Sequence, residues 1–503
     1  MVFATAVGFN DDTRACISMP VASNRSTPAG DVPLCVDLDG TLVATDLFVE
    51  SLVALLTCAP WFVVRLPWWL IQGRAVLKHE LLRRAPVDPA HLPYRIDVLE
   101  WLRAQANAGR AIYLATGTDS EAAHAVAKFA GCFAGVIASD GRRNLTGSRK
   151  AALLCERFGE HGFDYVGNHA VDVAILQRAR DALVVGGPSL ARLAATAAPV
   201  VMHWQPADAG IRSRLTAALA MLRPHQWVKN LLVVVPLIAA HRISDTSLWV
   251  RAGLAFVAFS LVASGVYVLN DLADLSSDRR HPRKRRRPLA AGQLPLAAGI
   301  MLAPLAIGMG AALSLLLPAA FSGWLLAYLI ATTAYTLALK RIAGVDVVTL
   351  GGLYALRLAA GAAATGIVLS GWLIAFSGFL FLSLALVKRE VELHAVRRAG
   401  GDRAHGRAYR LVHLRRIRIA GGLAALGAVA VLAVYGLRPD VDALYRHPWF
   451  LWLGCPVIAA WLAHLWRRTT HGHVHDDPVI FALSDPLSYL ALAALAVIMV
   501  VAT

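Results

Sequence analysis

Cysteine is sparse and unpatterned: six residues among 503, at positions 16, 35, 58, 132, 155 and 455, form no Cys-x-x-Cys pair. That spacing excludes a disulfide frame and a cysteine zinc site, and it suits a reducing compartment. Charge is scarce too, at 16% of residues, and acids are scarcer than bases, 33 against 49, for a net charge of +16. The first residues lack a basic leader followed by an apolar core, so 1–30 is expected to be a flexible polar extension and not a secretion signal. Long apolar runs are missing before about residue 222 and frequent after it, in a chain that is 57% hydrophobic. A bilayer crossing needs roughly 20 apolar residues, so an amino-terminal domain of ordinary composition precedes a membrane protein.

Between Pro33 and about Val201, short apolar runs at 34–36, 111–115, 136–138, 164–166 and 183–185 alternate with helix-like sequence. This pattern predicts a parallel α/β sheet. Such sheets bind ligands beyond the carboxyl ends of their strands, where Asp37, Asp39, Thr116 and the stretch from Asn168 to Asp172 gather. The helical periodicity of about 46–102 predicts a cap over that site. Its middle, from Ala59 to Gln72, is tryptophan-rich, too short to cross a bilayer and interrupted by Arg65 and Pro67. It has two readings: a segment lying on the membrane surface, or a cap helix packed on its own domain.

The stretch Asn270-Asp271-Leu272-Ala273-Asp274-Leu275-Ser276-Ser277-Asp278 closes an apolar run and is followed by Arg279, Arg280, Arg283, Lys284, Arg285, Arg286 and Arg287. On a helix Asn270, Asp274 and Asp278 share a face, with Asp271 beside Asp274. Mg²⁺ takes only one or two protein carboxylates and fills its other positions with water and phosphate oxygens. The expected guest of this face is therefore a metal-bound diphosphate.

Nine spans are expected, at 224–240, 249–269, 294–317, 319–339, 345–367, 371–387, 419–437, 449–466 and 487–502. The loops after the second, fourth, sixth and eighth carry most of the basic residues, and the alternate loops hold only Arg242, Arg251, Arg438 and Arg446. By the positive-inside rule the basic loops, the acidic motif and the amino-terminal domain face the cytoplasm of a multi-pass inner-membrane protein. Topology accounts for the net charge without nucleic acid. His471, His473, His475, Asp476 and Asp477 in the last inner loop are read as covering the active-site mouth, with metal binding as the lesser alternative.

Asp37-Leu38-Asp39-Gly40-Thr41 resembles the first motif of the haloacid dehalogenase superfamily, and Thr116, Lys150 and Gly167-Asn168-His169-Ala170-Val171-Asp172 match its later motifs in order. The resemblance implies a phosphatase. Asp37 would attack phosphorus, Asp39 would protonate the leaving oxygen, and Thr116 and Lys150 would hold the phosphoryl group. Mg²⁺ would sit among Asp37, Asp39, Asn168 and Asp172. Asn168 stands where that family often has aspartate, leaving the implied metal site one carboxylate fewer.

Nine spans with an Asn-Asp-x-x-Asp-x-x-x-Asp motif at the inner end of the second resemble the UbiA superfamily of intramembrane prenyltransferases. The segment Lys388-Arg389-Glu390-Val391-Glu392-Leu393 departs from the second aspartate-rich motif usual there. With 223–230, 283–292 and 354–361, it resembles the decaprenyl-phosphate phosphoribosyltransferase branch. The resemblance implies phosphoribosyl diphosphate as donor and a polyprenyl phosphate as acceptor. Asp271, Asp274 and Asp278, helped by Asn270, would hold the Mg²⁺-diphosphate, and Arg283 the 5-phosphate. Lys229, Lys388 and Arg389 would offset the lipid phosphate's charge, with Arg357 and Glu392 as further polar contacts. Competing readings are a prenyltransferase acting on an aromatic acceptor and a nonenzymatic lipid-binding scaffold. The expected fold is an α/β Rossmann-like haloacid dehalogenase domain (31–206, cap about 46–102), a linker (207–222) and an all-α, UbiA-like membrane domain (223–503).

Overall fold

A computed structural model describes residues 32–206, 210–403, 407–438, 445–474 and 478–503. The expected extension over 1–30 lies outside them, as do 207–209 of the linker and His475, Asp476 and Asp477. The chain divides into two compact units, one made of Met1–Leu222 with Tyr267–Ala303, the other of Arg223–Val266 with Pro304–Thr503.

In the first unit, β1 (Leu34–Val36), β2 (Ile112–Asp119), β3 (Gly135–Ser139), β4 (Asp164–Gly167), β5 (Ala182–Val185) and β6 (Val200–Trp204) form one sheet in the order β3-β2-β1-β4-β5-β6. Every pairing is parallel. Leu34 and Val36 pack on one face with Ile112, Leu114 and Val166, and Cys35 packs on the other with Ala115 and Tyr165. Alternation by two therefore buries both faces, each covered by helices. The strand order reverses between β1 and β4, and at such a switch point the loops leaving the carboxyl ends diverge and open a crevice. Five of the six strands coincide with the expected runs. The sixth, β6, is an edge strand with His203 in it and mostly half-buried side chains, so it lacks the apolar signature.

Cap helix Leu47–Cys58 starts at Asp46, whose carboxylate accepts from the Phe48 and Val49 amides, as an N-cap should. A 3₁₀ turn over Pro60–Arg65 and the short helix Leu66–Gln72 lead to helix Arg74–Arg84. Trp69, Leu55 and Leu81 form the cap's own small core. Val53 instead joins Ala217 and Met221 in a cluster with Val268, Leu272, Leu275 and Leu289. The acidic motif's segment is thus built into the amino-terminal unit.

Among the described residues, seven helices are long and apolar enough to cross a membrane: Thr246–Ala273, Leu296–Ser314, Ala319–Leu337, Val345–Thr365, Gly371–Arg398, Leu411–Tyr435 and Pro448–Thr470. The expected count of nine is corrected at its two ends. The segment expected at 224–240 is a 3₁₀ stretch, Pro224–Val233, followed by the five-residue helix Val235–Ala239. Here backbone contact overrides hydropathy: a Cβ on Gly361 would lie 2.0 Å from the Val233 carbonyl oxygen, so this stretch lies directly against helix Val345–Thr365. The last expected span is a helix of 17 residues, Pro486–Ala502, at the short limit for a crossing.

Candidate functional site

Asp37 follows β1 directly and is 8% exposed. Lys150 reaches it from helix Ser148–Phe158, its Nζ donating to Asp37 Oδ1 at 2.7 Å, to the Ala115 carbonyl at 3.2 Å and to the Tyr165 hydroxyl at 2.9 Å. Tyr165 in turn donates to Asp172 Oδ1 at 3.3 Å, and Asp172 Oδ2 accepts from the Asn168 and His169 amides. The Thr41 hydroxyl lies 3.3 Å from Asp37 Oδ2 and 3.0 Å from Asn168 Oδ1. Gly40 makes this closeness possible, since at φ +77° its Cβ would fall 2.1 Å from Asn168 Nδ2. Thr116 is fully buried and its Oγ accepts from the Thr118 amide.

Burial, then the charge on Asp37, raises the Asp172 carboxyl above its usual range, partly opposed by Lys150. Burial alone would lower the Lys150 pKa, but Asp37 and Asp172 outweigh it and hold the ammonium above its usual pKa. Asp39 accepts from the Leu47 amide and the Thr118 hydroxyl. Burial, with the charges of Asp46 and Asp37, pushes it up to about 7, so it holds a proton where an ordinary aspartate would not. From the cap, Lys78 Nζ donates to the Gly117 carbonyl at 2.8 Å and His79 Nδ1 lies 2.9 Å from Asp119. Thr118, Tyr165, Lys78 and His79 are absent from the sequence reading. Tyr165 in particular looks like any aromatic core residue of a strand.

Beyond Ala273 the helix breaks only at Asp274, and the amides of Asp274 and Asp278 still donate to the carbonyls four residues back. That near-continuity keeps Asn270, Asp274 and Asp278 on one face. Asp271 and Asp278 are buried and share one cation: Arg287 Nη1 donates to Asp271 Oδ1 at 2.9 Å and to Asp278 Oδ2 at 2.5 Å. Asp278 Oδ1 is buried without a hydrogen bond, with Lys284 Nζ at 3.8 Å. Burial raises the Asp278 carboxyl, against the pull of Arg287. Arg283, expected to lead the phosphate contacts, is exposed, and it is Arg287 that stands between the carboxylates. Arg279 grips Glu50 of the cap with two bonds of 2.7 and 2.6 Å and also donates to the Ala290 carbonyl.

In the second unit, Asn230 is held by Ser260 and Arg357, with Arg357 Nε 2.9 Å from Asn230 Oδ1. Arg357 also donates to the Leu353 carbonyl and to the Tyr328 hydroxyl, and lies over the rings of Phe259, Tyr328 and Tyr354. Those partners are neutral, so Arg357 ties helix Val345–Thr365 to its neighbours. Lys229 is buried beside Asn230. Arg389, 1% exposed, pairs with Asp346 at 3.0 Å, with Glu392 and with the Tyr335 hydroxyl. Arg407 closes the same group onto Glu392 at 2.9 Å and Tyr335. Two cations and two anions leave it neutral. Lys388 is half-buried. Helices Ala319–Leu337, Val345–Thr365 and Gly371–Arg398 also enclose an apolar cleft of about 480 Å³ lined by Trp324, Leu353, Leu356, Leu369 and Leu373.

Both acidic groups fit a hard cation by the nature of their donors: oxygen atoms, with two buried carboxylates in each, Asp37 and Asp172 in one and Asp271 and Asp278 in the other. Among the described residues no three acidic, histidine or cysteine side chains close into a protein-only metal cage. Magnesium does not need one, because substrate phosphates complete its shell.

Seven apolar helices of spanning length, with an arginine-bridged aspartate motif at one helix end, define a polytopic membrane protein. The chain belongs to the UbiA prenyltransferase family, which it matches over residues 231–501. It is 36% identical over 470 residues to the uncharacterized protein y4nM of Sinorhizobium fredii, covering 91% of this chain and 88% of that one, so the likeness extends into the sheet domain. Over 283 residues it is 34% identical to the decaprenyl-phosphate phosphoribosyltransferase of Mycobacterium tuberculosis, covering 55% of this chain and 91% of the relative. A solved UbiA homolog from Archaeoglobus fulgidus bound to GPP and Mg²⁺ aligns at 16% identity with a TM-score of 0.43, over 56% of this chain and 99% of that one.

Proposed function

We propose that the membrane domain transfers 5-phosphoribose from phosphoribosyl diphosphate to a polyprenyl phosphate, and that the sheet domain, as a haloacid dehalogenase-like phosphatase, then removes the 5-phosphate. The observation that carries the first step is the 34% identity to a decaprenyl-phosphate phosphoribosyltransferase across 91% of that relative's length. An oxygen of the lipid phosphate forms a bond to the anomeric carbon as diphosphate departs. Asp271, Asp274 and Asp278, with Asn270, hold the diphosphate, and Arg283, Lys284 and Arg287 face the donor's phosphates. Mg²⁺, when bound there, neutralises the diphosphate and so favours its departure. Lys229 and Lys388 receive the lipid phosphate. Arg389 and Glu392, already paired, position the helix that carries Lys388, as Arg357 positions Asn230. The apolar cleft suits an isoprenoid tail.

In the second step Asp37 attacks phosphorus, the ribose oxygen leaves with a proton from Asp39, and water then cleaves the aspartyl phosphate. The elevated Asp39 carboxyl and the Lys150–Asp37 contact support these roles, with Thr116 and Lys150 on the phosphoryl oxygens and Asn168 and Asp172 beside the Mg²⁺ that Asp37 would share. The product, a lipid-linked pentose on the cytoplasmic face, suits cell-envelope glycan synthesis.

One incubation tests both steps: full-length protein, Mg²⁺, labelled phosphoribosyl diphosphate and polyprenyl phosphate, with lipids resolved by mass. Asp271→Ala is expected to form no ribosylated lipid, and Asp37→Asn to accumulate the 5-phosphorylated lipid. Persistence of that phosphorylated lipid with unaltered protein would refute the phosphatase step. Absence of any ribosylated lipid with unaltered protein would refute the first.

A further inference from the structure

The tryptophan-rich part of the cap is two-faced. Phe62, Leu66 and Trp69 turn inward onto Leu55 and Leu81, with Arg84 lying over the Trp69 ring. Between them the outward positions, Arg65 apart, are mostly apolar: Trp61 is 69% exposed, Val64 78%, Trp68 63% and Ile71 79%, with Val63 and Leu70 also more than half exposed. Single exposed apolar residues are ordinary, but six within eleven positions make a patch that a water-facing surface does not keep without a partner.

The partner follows from what this unit is attached to. The preceding cap helix, Leu47–Cys58, packs Val53 and Val49 against Val268 and Leu272 in the last turns of membrane helix Thr246–Ala273, and its Glu50 is gripped by Arg279 just beyond that helix. The cap is therefore fixed where a membrane helix ends, at the level of the lipid headgroups. Tryptophan favours that zone, because its ring is apolar and its N–H needs a polar neighbour. Exposed Arg65 lies within the patch and exposed Arg74 just beyond it, as suits anionic headgroups. Helix Ile211–Leu222 of the same unit exposes Ile211, Leu215 and Leu219 at helical spacing while burying Ala217 and Met221 in the Val53 cluster. A second apolar stripe thus flanks the same cluster.

We infer that Pro60–Gln72 is an interfacial docking surface that seats the amino-terminal unit on an anionic bilayer. This rests on the membrane helices alone and not on the reaction assigned above. The test uses the full chain labelled with 5-fluorotryptophan in nanodiscs of phosphatidylglycerol and phosphatidylcholine, with the Trp61 and Trp68 resonances identified by Trp61→Phe and Trp68→Phe. Both signals are expected to broaden with a doxyl label near the lipid headgroup and to resist an aqueous gadolinium chelate, while buried Trp204 of the sheet responds to neither. Broadening by the chelate without broadening by the lipid label would overturn the inference. A second reading is tryptic cleavage in the same discs. Trp61→Ser/Trp68→Ser/Ile71→Ser should be cut after Arg65 and Arg74 at least tenfold faster than the parent, with cleavage after Arg83 and Arg84 unchanged because Trp69 and the cap core are untouched. Equal rates after Arg65 and Arg74 would overturn it.

Discussion

Gly40 has no room for a methyl group. Its positive φ and the 2.1 Å approach of Asn168 mean that Gly40→Ala strains the backbone by ~1–3 kcal/mol and displaces Asn168 from Thr41. Earlier thermal denaturation and loss of phosphate release are the expected readouts. Lys150→Met removes the only cation hydrogen-bonded to Asp37 among the described residues, leaving two buried carboxylates uncompensated at ~3–5 kcal/mol; denaturant titration of the variant measures this. Arg287→Ala strips the shared partner from Asp271 and Asp278, so added Mg²⁺ should raise its melting temperature more than that of the unaltered chain. At this scale the sequence was most readable where a short motif fixes a strand end: Asp37 and Asp39 follow β1 and Asn168 and Asp172 follow β4, with Thr116 in β2 and Lys150 on helix Ser148–Phe158. Tyr165, Arg287 and Asp346 carried no such mark, since each acquires its role only from a residue distant in the chain or from one arginine among many.

The strands were legible because parallel pairing buries whole apolar runs, and β6 escaped because an edge strand need not be apolar on both faces. The segment expected at 224–240 shows what hydropathy omits: it measures transfer to lipid and is silent on backbone contact. Gly361 is the case in point. Gly361→Ala would push a methyl group into the Val233 backbone, and, with no flexible side chain there to yield, the expected cost of ~1–3 kcal/mol should appear as reduced yield of folded protein from detergent. The Arg389, Asp346, Glu392 and Arg407 group was equally hidden, since Asp346 opens helix Val345–Thr365 and looks like an ordinary first-turn acid. A double-mutant cycle on Arg389→Met and Asp346→Asn should show a coupling of ~0.5–3 kcal/mol; additive losses would mean that the two do not act together.

Over the whole molecule, the amino-terminal unit is assembled from two stretches separated by Arg223–Val266. Val53, Ala217 and Met221 of the first stretch share a cluster with Val268, Leu272, Leu275 and Leu289 of the second. A fragment ending at residue 222 should therefore aggregate or bind a hydrophobic dye, whereas Glu50→Gln in the full chain should leave the sheet intact and loosen only the Arg279 attachment, seen as faster tryptic cutting between Arg279 and Arg287. The same two-piece construction sets an order of events during biosynthesis. The sheet, and the part of the cap that Lys78 and His79 hold to it, can form as soon as those residues leave the ribosome, but Val53, Ala217 and Met221 stay uncovered until the end of a membrane helix has been synthesised and inserted.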